Sequence, residues 1–256
     1  MYWLDVLVLL FGLFWGSFLA LLSYRIPKNI SIVTPRSFCD HCGKKIPWYY
    51  NLPILSFIYL KGKCKECGAK ISWRYPLIEL LTGAIFLFSF MFFAEDYYYV
   101  LVRAFILTTV LLPTIFIDID ERIIPDRFSI GLIVVGFILS LVDPGMAWHE
   151  SAVGIVVGGG LFFLVAEGYH LATGRDGMGG GDIKLIAGIG AFMGWLPVLM
   201  VILISSILGS IYGIFAMLVF KKGRLTEIPF GPFISIAALV YFLLLESGID
   251  LWSFVK

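Results

Sequence analysis

Eight runs of apolar residues constrain this chain more than any other feature. Most of them approach or exceed the ~18–20 residues that a helix needs to cross the hydrocarbon core of a bilayer. They fall at about Tyr2–Tyr24, Pro76–Phe93, Val100–Ile117, Phe128–Val142, Ala152–Leu171, Ile183–Leu196, Pro197–Phe220 and Phe233–Leu245. Of the 256 residues 60% are hydrophobic and 14% charged, where soluble domains carry roughly 25% charge. The expected fold class is an all-α polytopic membrane protein of about eight transmembrane helices. The sixth run is short, contains Gly188, Gly190 and Gly194, and is expected to stop at Pro197, which cannot continue a helix. The first run lacks a basic start and a small-residue cleavage site, so it is expected to stay as a membrane helix rather than be removed as a signal peptide.

Orientation follows from where the positive charges lie. Net charge is only +1, which gives no reason to expect a nucleic-acid partner. Ten of the nineteen lysines and arginines nevertheless lie in one loop: Arg25, Lys28, Arg36, Lys44, Lys45, Lys61, Lys63, Lys65, Lys70 and Arg74. Crossing the membrane eight times brings Arg122, Arg127, Arg175, Lys184, Lys221, Lys222 and Arg224 to the same side and leaves Arg103 and Lys256 on the other. The basic side of a membrane protein is cytoplasmic. Both termini are therefore expected outside a cytoplasmic (inner) membrane. Omitting one run would scatter the later basic residues, which supports the count of eight.

The basic loop holds all four cysteines, as Cys39-Asp40-His41-Cys42 and Cys64-Lys65-Glu66-Cys67, with 21 residues between the pairs. Each pair is followed by a glycine, Gly43 or Gly68. Two such knuckles assemble a tetrahedral Cys₄ zinc site. A redox dithiol is the competing reading, but that motif is usually single, and a reducing cytoplasm disfavours structural disulfides. Four thiolates leave no open position on the metal, so the zinc is expected to be structural and His41 a bystander. Between the knuckles, Ile46–Leu60 is too short to span and rich in Trp and Tyr, as suits a segment lying at the membrane interface. The first run carries Gly12, Gly16, Ser17 and Ala20, small residues that allow close helix packing. No internal repeat is evident.

Two carboxylates stand at the expected cytoplasmic border. Asp182 ends the stretch Met178-Gly179-Gly180-Gly181-Asp182, and Asp118 is the first charge after the third apolar run. An isolated anion there is costly, so it is paired, protonated or facing a wet cavity. The structural alternatives are that Asp182 caps the following helix and that Arg122, four residues on, neutralises Asp118. Asp120 is expected on a solvated face and Asp126 at a helix cap. Glu79 is either bridged to a basic loop residue such as Arg74 or part of a functional cavity. Glu167 is either a third acid near the site or the partner of Arg175. Pro229-Phe230-Gly231-Pro232 breaks the backbone at the start of the last run, which is tolerated only inside protein or beside a wet cavity; it is a further candidate for the site. Two carboxylates held within a few ångströms share a proton, and such a pair activates water while protonating a carbonyl. No Ser–His or H-E-x-x-H alternative competes, since the histidines are His41, His149 and His170.

These motifs together resemble the GxGD intramembrane aspartyl proteases, and within them the type IV prepilin peptidases, the leader peptidase/N-methyltransferase family. The resemblance rests on Asp118 in D-I-D-E-R-I-I-P-D, Gly179-Gly180-Gly181-Asp182, the two C-x-x-C knuckles, Arg74-Tyr75-Pro76-Leu77-Ile78-Glu79-Leu80-Leu81-Thr82-Gly83, and Pro229-Phe230-Gly231-Pro232. It covers almost the whole chain, with the motifs in order. It implies a bifunctional enzyme that removes the basic leader of type IV prepilins and type II secretion pseudopilins after a glycine. The enzyme would then methylate the new N-terminal residue with S-adenosylmethionine. Asp118 and Asp182 carry over as the catalytic pair, and Cys39, Cys42, Cys64 and Cys67 match the cysteines of the bifunctional members. The expected divisions are a first transmembrane helix (1–24), a cytoplasmic zinc-binding loop (25–75) and a polytopic peptidase core (76–256). Two other readings stay open from the residues: a membrane assembly factor or ion-coupled transporter using Asp118 and Asp182 as an ion path, and a GxGD protease acting on other substrates.

Overall fold

The computed structural model describes residues 2–93, 98–175, 177–220 and 228–249. Residues 94–97, part of the stretch Ala94–Tyr99 expected from sequence as a short outer turn, and four of the basic residues used for orientation, Lys221, Lys222, Arg224 and Lys256, lie outside them. The described residues form α1 (Tyr2–Arg25), a 3₁₀ turn (Trp48–Tyr50), the short α2 (Leu55–Tyr59), α3 (Arg74–Phe93), α4 (Tyr98–Glu121), α5 (Asp126–Ser140), α6 (Trp148–Thr173), α7 (Gly180–Met193), α8 (Trp195–Phe220) and α9 (Gly231–Glu246). All eight apolar runs are helical. Five of these helices, α1, α3, α4, α6 and α8, are long and apolar enough to cross a membrane. The chain is thus an all-helical, multi-pass membrane protein, and it divides into two compact units, residues 1–101 and 102–256.

In the first unit α1 packs along α3 through small residues. A Cβ on Gly16 would come 2.6 Å from Glu79 Cα, and one on Gly12 would come 2.8 Å from Gly83 Cα. That close approach fixes the height of Glu79 on α3 against Ser17 on α1. Trp3, Leu7, Phe14 and Phe18 on α1 are exposed, as lipid-facing side chains are. Between these helices the chain makes the hairpin, with Trp48, Leu55, Ile58, Tyr59 and Trp73 exposed on its surface, a composition suited to the interfacial seat expected for it.

The second unit is built on α7, which packs against α5, α6, α8 and α9. Its nine residues Leu185–Met193 are all buried. A Cβ on Gly154 of α6 would lie 2.2 Å from the Gly190 carbonyl oxygen, and one on Gly190 would lie 2.2 Å from that of Gly154. At 14, 15 and 16 residues, α7, α5 and α9 are shorter than a full crossing. For α7 the burial explains why this is tolerated at its C-terminal end, where Leu185–Met193 and Gly194 are enclosed by protein rather than by lipid. The boundary before α8 also differs from expectation. Gly194, at φ +82°, ends α7, while Pro197 falls in the first turn of α8, where its missing N–H has no intrahelical partner to lose.

Arg103 is 8% exposed and Asp143 7%. Arg103 Nε lies 3.0 Å from Asp143 Oδ2, misaligned for a linear hydrogen bond, and Nη1 lies 3.4 Å from Glu246 Oε1. Asp143 Oδ1 also accepts the Gly145 N–H at 2.8 Å. Arg103, which the sequence places away from the basic side, is thus neutralised by Asp143 and Glu246, joining α4, the α5–α6 loop and the end of α9.

Candidate active site

Asp118 lies in the last turn of α4 and is 5% exposed. Its Oδ2 accepts the backbone N–H of Gly231 at 2.9 Å. Gly231 opens α9, where the first N–H groups have no intrahelical acceptor, so the carboxylate meets a need of that helix. A bond across 113 positions therefore brings the Pro229–Pro232 break to Asp118. Arg122 follows in the left-handed region at φ +54° and acts electrostatically on Asp118. Asp120 is exposed.

Asp182 is the third residue of α7, whose N-cap is Gly179. It is not the cap. Its carboxylate turns back toward the N–H of Gly179. Its Oδ1 is buried with no hydrogen-bond partner among the described residues, an arrangement that a purely structural acid avoids. Asp118 and Asp182 act on each other electrostatically. Ile124 sits between their supports: a Cβ on Gly181 would come 2.9 Å from Ile124 Cβ, and one on Gly231 would meet Ile124 Cδ1 at 3.1 Å and Asp118 Oδ2 at 2.8 Å. Gly231 is therefore required by close approach to Asp118, and Gly181 by close approach to Ile124. Gly231→Ala is expected to displace the Asp118 carboxylate and lower any hydrolysis by the aspartate pair ~10-fold or more, with little change in melting temperature. Cleavage kinetics and a thermal melt on the same preparation check this.

The other acids separate from this pair. Asp126 is in the first turn of α5 behind N-cap Pro125 and makes no cap; its Oδ1 accepts a hydrogen bond from Lys184 Nζ. Glu167 is exposed and makes no ion pair among the described residues, which gives no support to a pairing with Arg175.

In the first unit the four cysteines meet. Their sulfurs lie within 4.8 Å of one another, and Cys39 Sγ is 3.8 Å from Cys67 Sγ. Tetrahedral thiolates at the ~2.3 Å Zn–S distance are ~3.8 Å apart, so the donor set fits zinc. The knuckles are local copies offset by 25 positions, a repeat of geometry that the sequence did not reveal. Cys39 N–H donates to Lys44 O and Cys64 N–H to Ala69 O; Gly43 N–H donates to Cys39 O and Gly68 N–H to Cys64 O; Ile46 N–H donates to Ser37 O and Ile71 N–H to Gly62 O. Gly43 and Gly68 have φ of +68° and +70°, which glycine adopts without steric cost. The N–H groups of Cys67 and Glu66 pull the Cys64 thiol down to about 7, toward the thiolate that a metal binds. Lys44 and Glu66 pair across the knuckles at 2.6 Å, exposed. His41 is exposed and outside the cluster.

Beside the knuckles lies a cavity of about 350 Å³, with walls that include Tyr24, Phe38, Tyr50, Phe57 and Tyr75 and with Glu79 in its lining. Glu79 is 7% exposed. Its Oε2 accepts the Ile54 N–H at 2.8 Å, and the Ser17 hydroxyl bonds the same carboxyl. Arg74 Nη2 instead donates to Ser23 O at 3.0 Å. Of the two readings for Glu79, the structure gives the cavity.

Residues 10–93 match the model of the bacterial peptidase A24 N-terminal domain, and residues 105–214 that of the type IV leader peptidase family. The chain is 33% identical to a prepilin leader peptidase/N-methyltransferase of Aeromonas hydrophila over 258 residues, covering 91% of this chain and 88% of that one. It is 34% identical to the protein of that name from Neisseria gonorrhoeae, covering 90% and 87%, and 31% identical to that from Legionella pneumophila, covering 93% and 91%. No solved structure matches.

Proposed function

Because the chain belongs to the type IV leader peptidase family, we propose that it cleaves the leader from type IV prepilins and N-methylates the residue so exposed. It is a membrane aspartic endopeptidase with S-adenosylmethionine as methyl donor. The observation that carries the peptidase reading is the buried, unpartnered Asp182 Oδ1 beside an Asp118 held by Gly231. One carboxyl takes a proton from water as it attacks the scissile carbonyl, and the other gives a proton to the carbonyl oxygen. Asp182 Oδ1 is the carboxylate oxygen with no hydrogen-bond partner among the described residues, which suits it to the water. The Gly231 N–H keeps Asp118 turned to the same place. The substrates extend to type II secretion pseudopilins, which present the same basic leader ahead of an apolar helix.

The work divides along the chain into the first helix (1–24), the zinc-binding loop (25–75) and the peptidase core (76–256), whose opening helix α3 packs on α1. Zinc held by Cys39, Cys42, Cys64 and Cys67 ties the loop and takes no part in chemistry. The lopsided basic residues support an inner-membrane protein with both termini outside and the acids at the cytoplasmic face, where a leader left in the cytoplasm would present its junction. The relatives' names give no support to the ion-path alternative.

Mass spectrometry of a prepilin incubated with the lipid-reconstituted enzyme and S-adenosylmethionine tests the reading. The expected product lacks the leader and carries one added methyl on its N-terminal nitrogen. An intact leader across several prepilins, with folded enzyme, would move the assignment to other substrates.

A further inference from the structure

Glu79 is a buried carboxylate that faces a cavity, and its protein partners are neutral: the Ile54 N–H and the Ser17 hydroxyl. Among the described residues no cation pairs with it. Acids near hydrocarbon are ordinarily paired or serve a site; Arg25, Lys44, Lys45, Lys65 and Lys70 also line the cavity, but none of them pairs with Glu79 among the described residues, so the complement that Glu79 itself lacks is a positive group supplied from outside.

The backbone around Glu79 is held in an unusual state to make this arrangement. Ile54 has φ 59° and ψ −49°, and Leu55 N–H donates back to Pro53 O. That is a γ-turn of the rare, strained kind, here centred on a β-branched residue, for which positive φ is an outlier. Such strain persists where the surroundings over-determine it, and it concentrates at functional sites. Here the turn aims the Ile54 N–H at Glu79, while the contact of Gly16 with Glu79 Cα fixes the acid from α1. The cavity's aromatic walls and its volume of about 350 Å³ place it in the lower part of the ~300–1,000 Å³ range of small-molecule sites.

We propose that this cavity is the methyl-transfer site and that Glu79 holds the free α-amino group of the cleaved pilin. The inference rests on the N-methyltransferase half of the proposed function. The incoming N-terminus is an ammonium, the cation that Glu79 lacks. Glu79 takes a proton from it, leaving a neutral amine with a lone pair. The nitrogen then forms its bond to the methyl carbon as the S–CH₃ bond breaks, with that electron pair going to sulfur. The sulfonium becomes a neutral thioether and the nitrogen a secondary ammonium. Rings such as Tyr50 and Tyr75 offer the flat surface on which the donor's adenine stacks.

The full-length enzyme in lipid is given leaderless pilin peptides with a free or an acetylated N-terminus, with S-adenosylhomocysteine present. Wild type is expected to bind the free amine at least ~10-fold more tightly, and Glu79→Gln to lose that preference. On the same preparations, Glu79→Gln is expected to lose methyl incorporation ~100-fold while leader cleavage persists. Equal binding of the two peptides by wild type, or wild-type methylation by Glu79→Gln, overturns the proposal. Should that variant not fold, a peptide with a photoreactive N-terminal residue decides on wild type: labelling within residues 17–79 supports the site, and labelling elsewhere overturns it. A wild type that cleaves but never methylates sinks the methyltransferase reading itself, a result distinct from an active wild type with an indifferent Glu79.

Discussion

Asp118→Asn and Asp182→Asn are each expected to slow leader cleavage by at least ~10²–10⁴-fold, the range that positioned acid–base groups contribute. Asparagine keeps the shape and, at 118, still accepts the Gly231 N–H, so the contact that joins α4 to α9 survives. What it cannot do is exchange a proton with water or with the carbonyl. Because the two acids act as one unit, the double variant is expected to be hardly slower than either single one. Methylation of a peptide supplied without its leader is expected to continue, since neither residue lies in the cavity of the first unit. Single-turnover cleavage, with methylation of the leaderless peptide as control, measures both. Cleavage within ~10-fold of wild type would remove that aspartate from the mechanism.

The parts of this protein that were legible in the sequence are those written in local pattern. A run of twenty apolar residues carries its own instruction to form a membrane helix, and Cys39, Cys42, Cys64 and Cys67 announce their geometry by spacing. The small residues Gly12 and Gly16 marked a helix-packing face that α3 occupies. Asp118 stood out as the first charge after the third apolar run, whereas Asp120, two residues on, turned to solvent as helical geometry requires. Most particular contacts between distant segments were not legible. Nothing near Asp126 indicates Lys184, 58 positions away, and Ile124 looks like any loop isoleucine until Gly181 and Gly231 are seen against it. The boundary at Gly194 was missed because two breakers stand three residues apart, and only the backbone shows that Gly194 has the positive φ while Pro197 sits in a permissive first turn. The γ-turn at Ile54 contradicts its own residue's preference. Local reasoning fails there because Glu79, from α3, holds the turn.

Removing the zinc, by strong chelation or by Cys39→Ser or Cys64→Ser, is expected to cost methylation far more than cleavage. The two knuckles have few other ties. Each is closed by a handful of backbone hydrogen bonds, and the Lys44–Glu66 pair between them is exposed, a kind of contact that contributes little. Structural zinc sites bind with on the order of 10 kcal/mol of apparent free energy, and that binding energy is folding energy for a small metal-tied loop. Loss of even one thiolate should therefore loosen the hairpin, and with it the cavity whose lining includes Cys39 and Cys64. The γ-turn at Ile54 lies in the segment between the knuckles, so its aim at Glu79 depends on their being tied. The acids, by contrast, lie in residues 102–256, where α7 supplies the packing. A methyl-incorporation rate reduced ~100-fold, with cleavage reduced no more than ~10-fold and greater protease sensitivity confined to 25–75, is the expected pattern. If chelation demonstrably removed the metal yet left methylation and the protease pattern unchanged, zinc would have no part in organising methyl transfer.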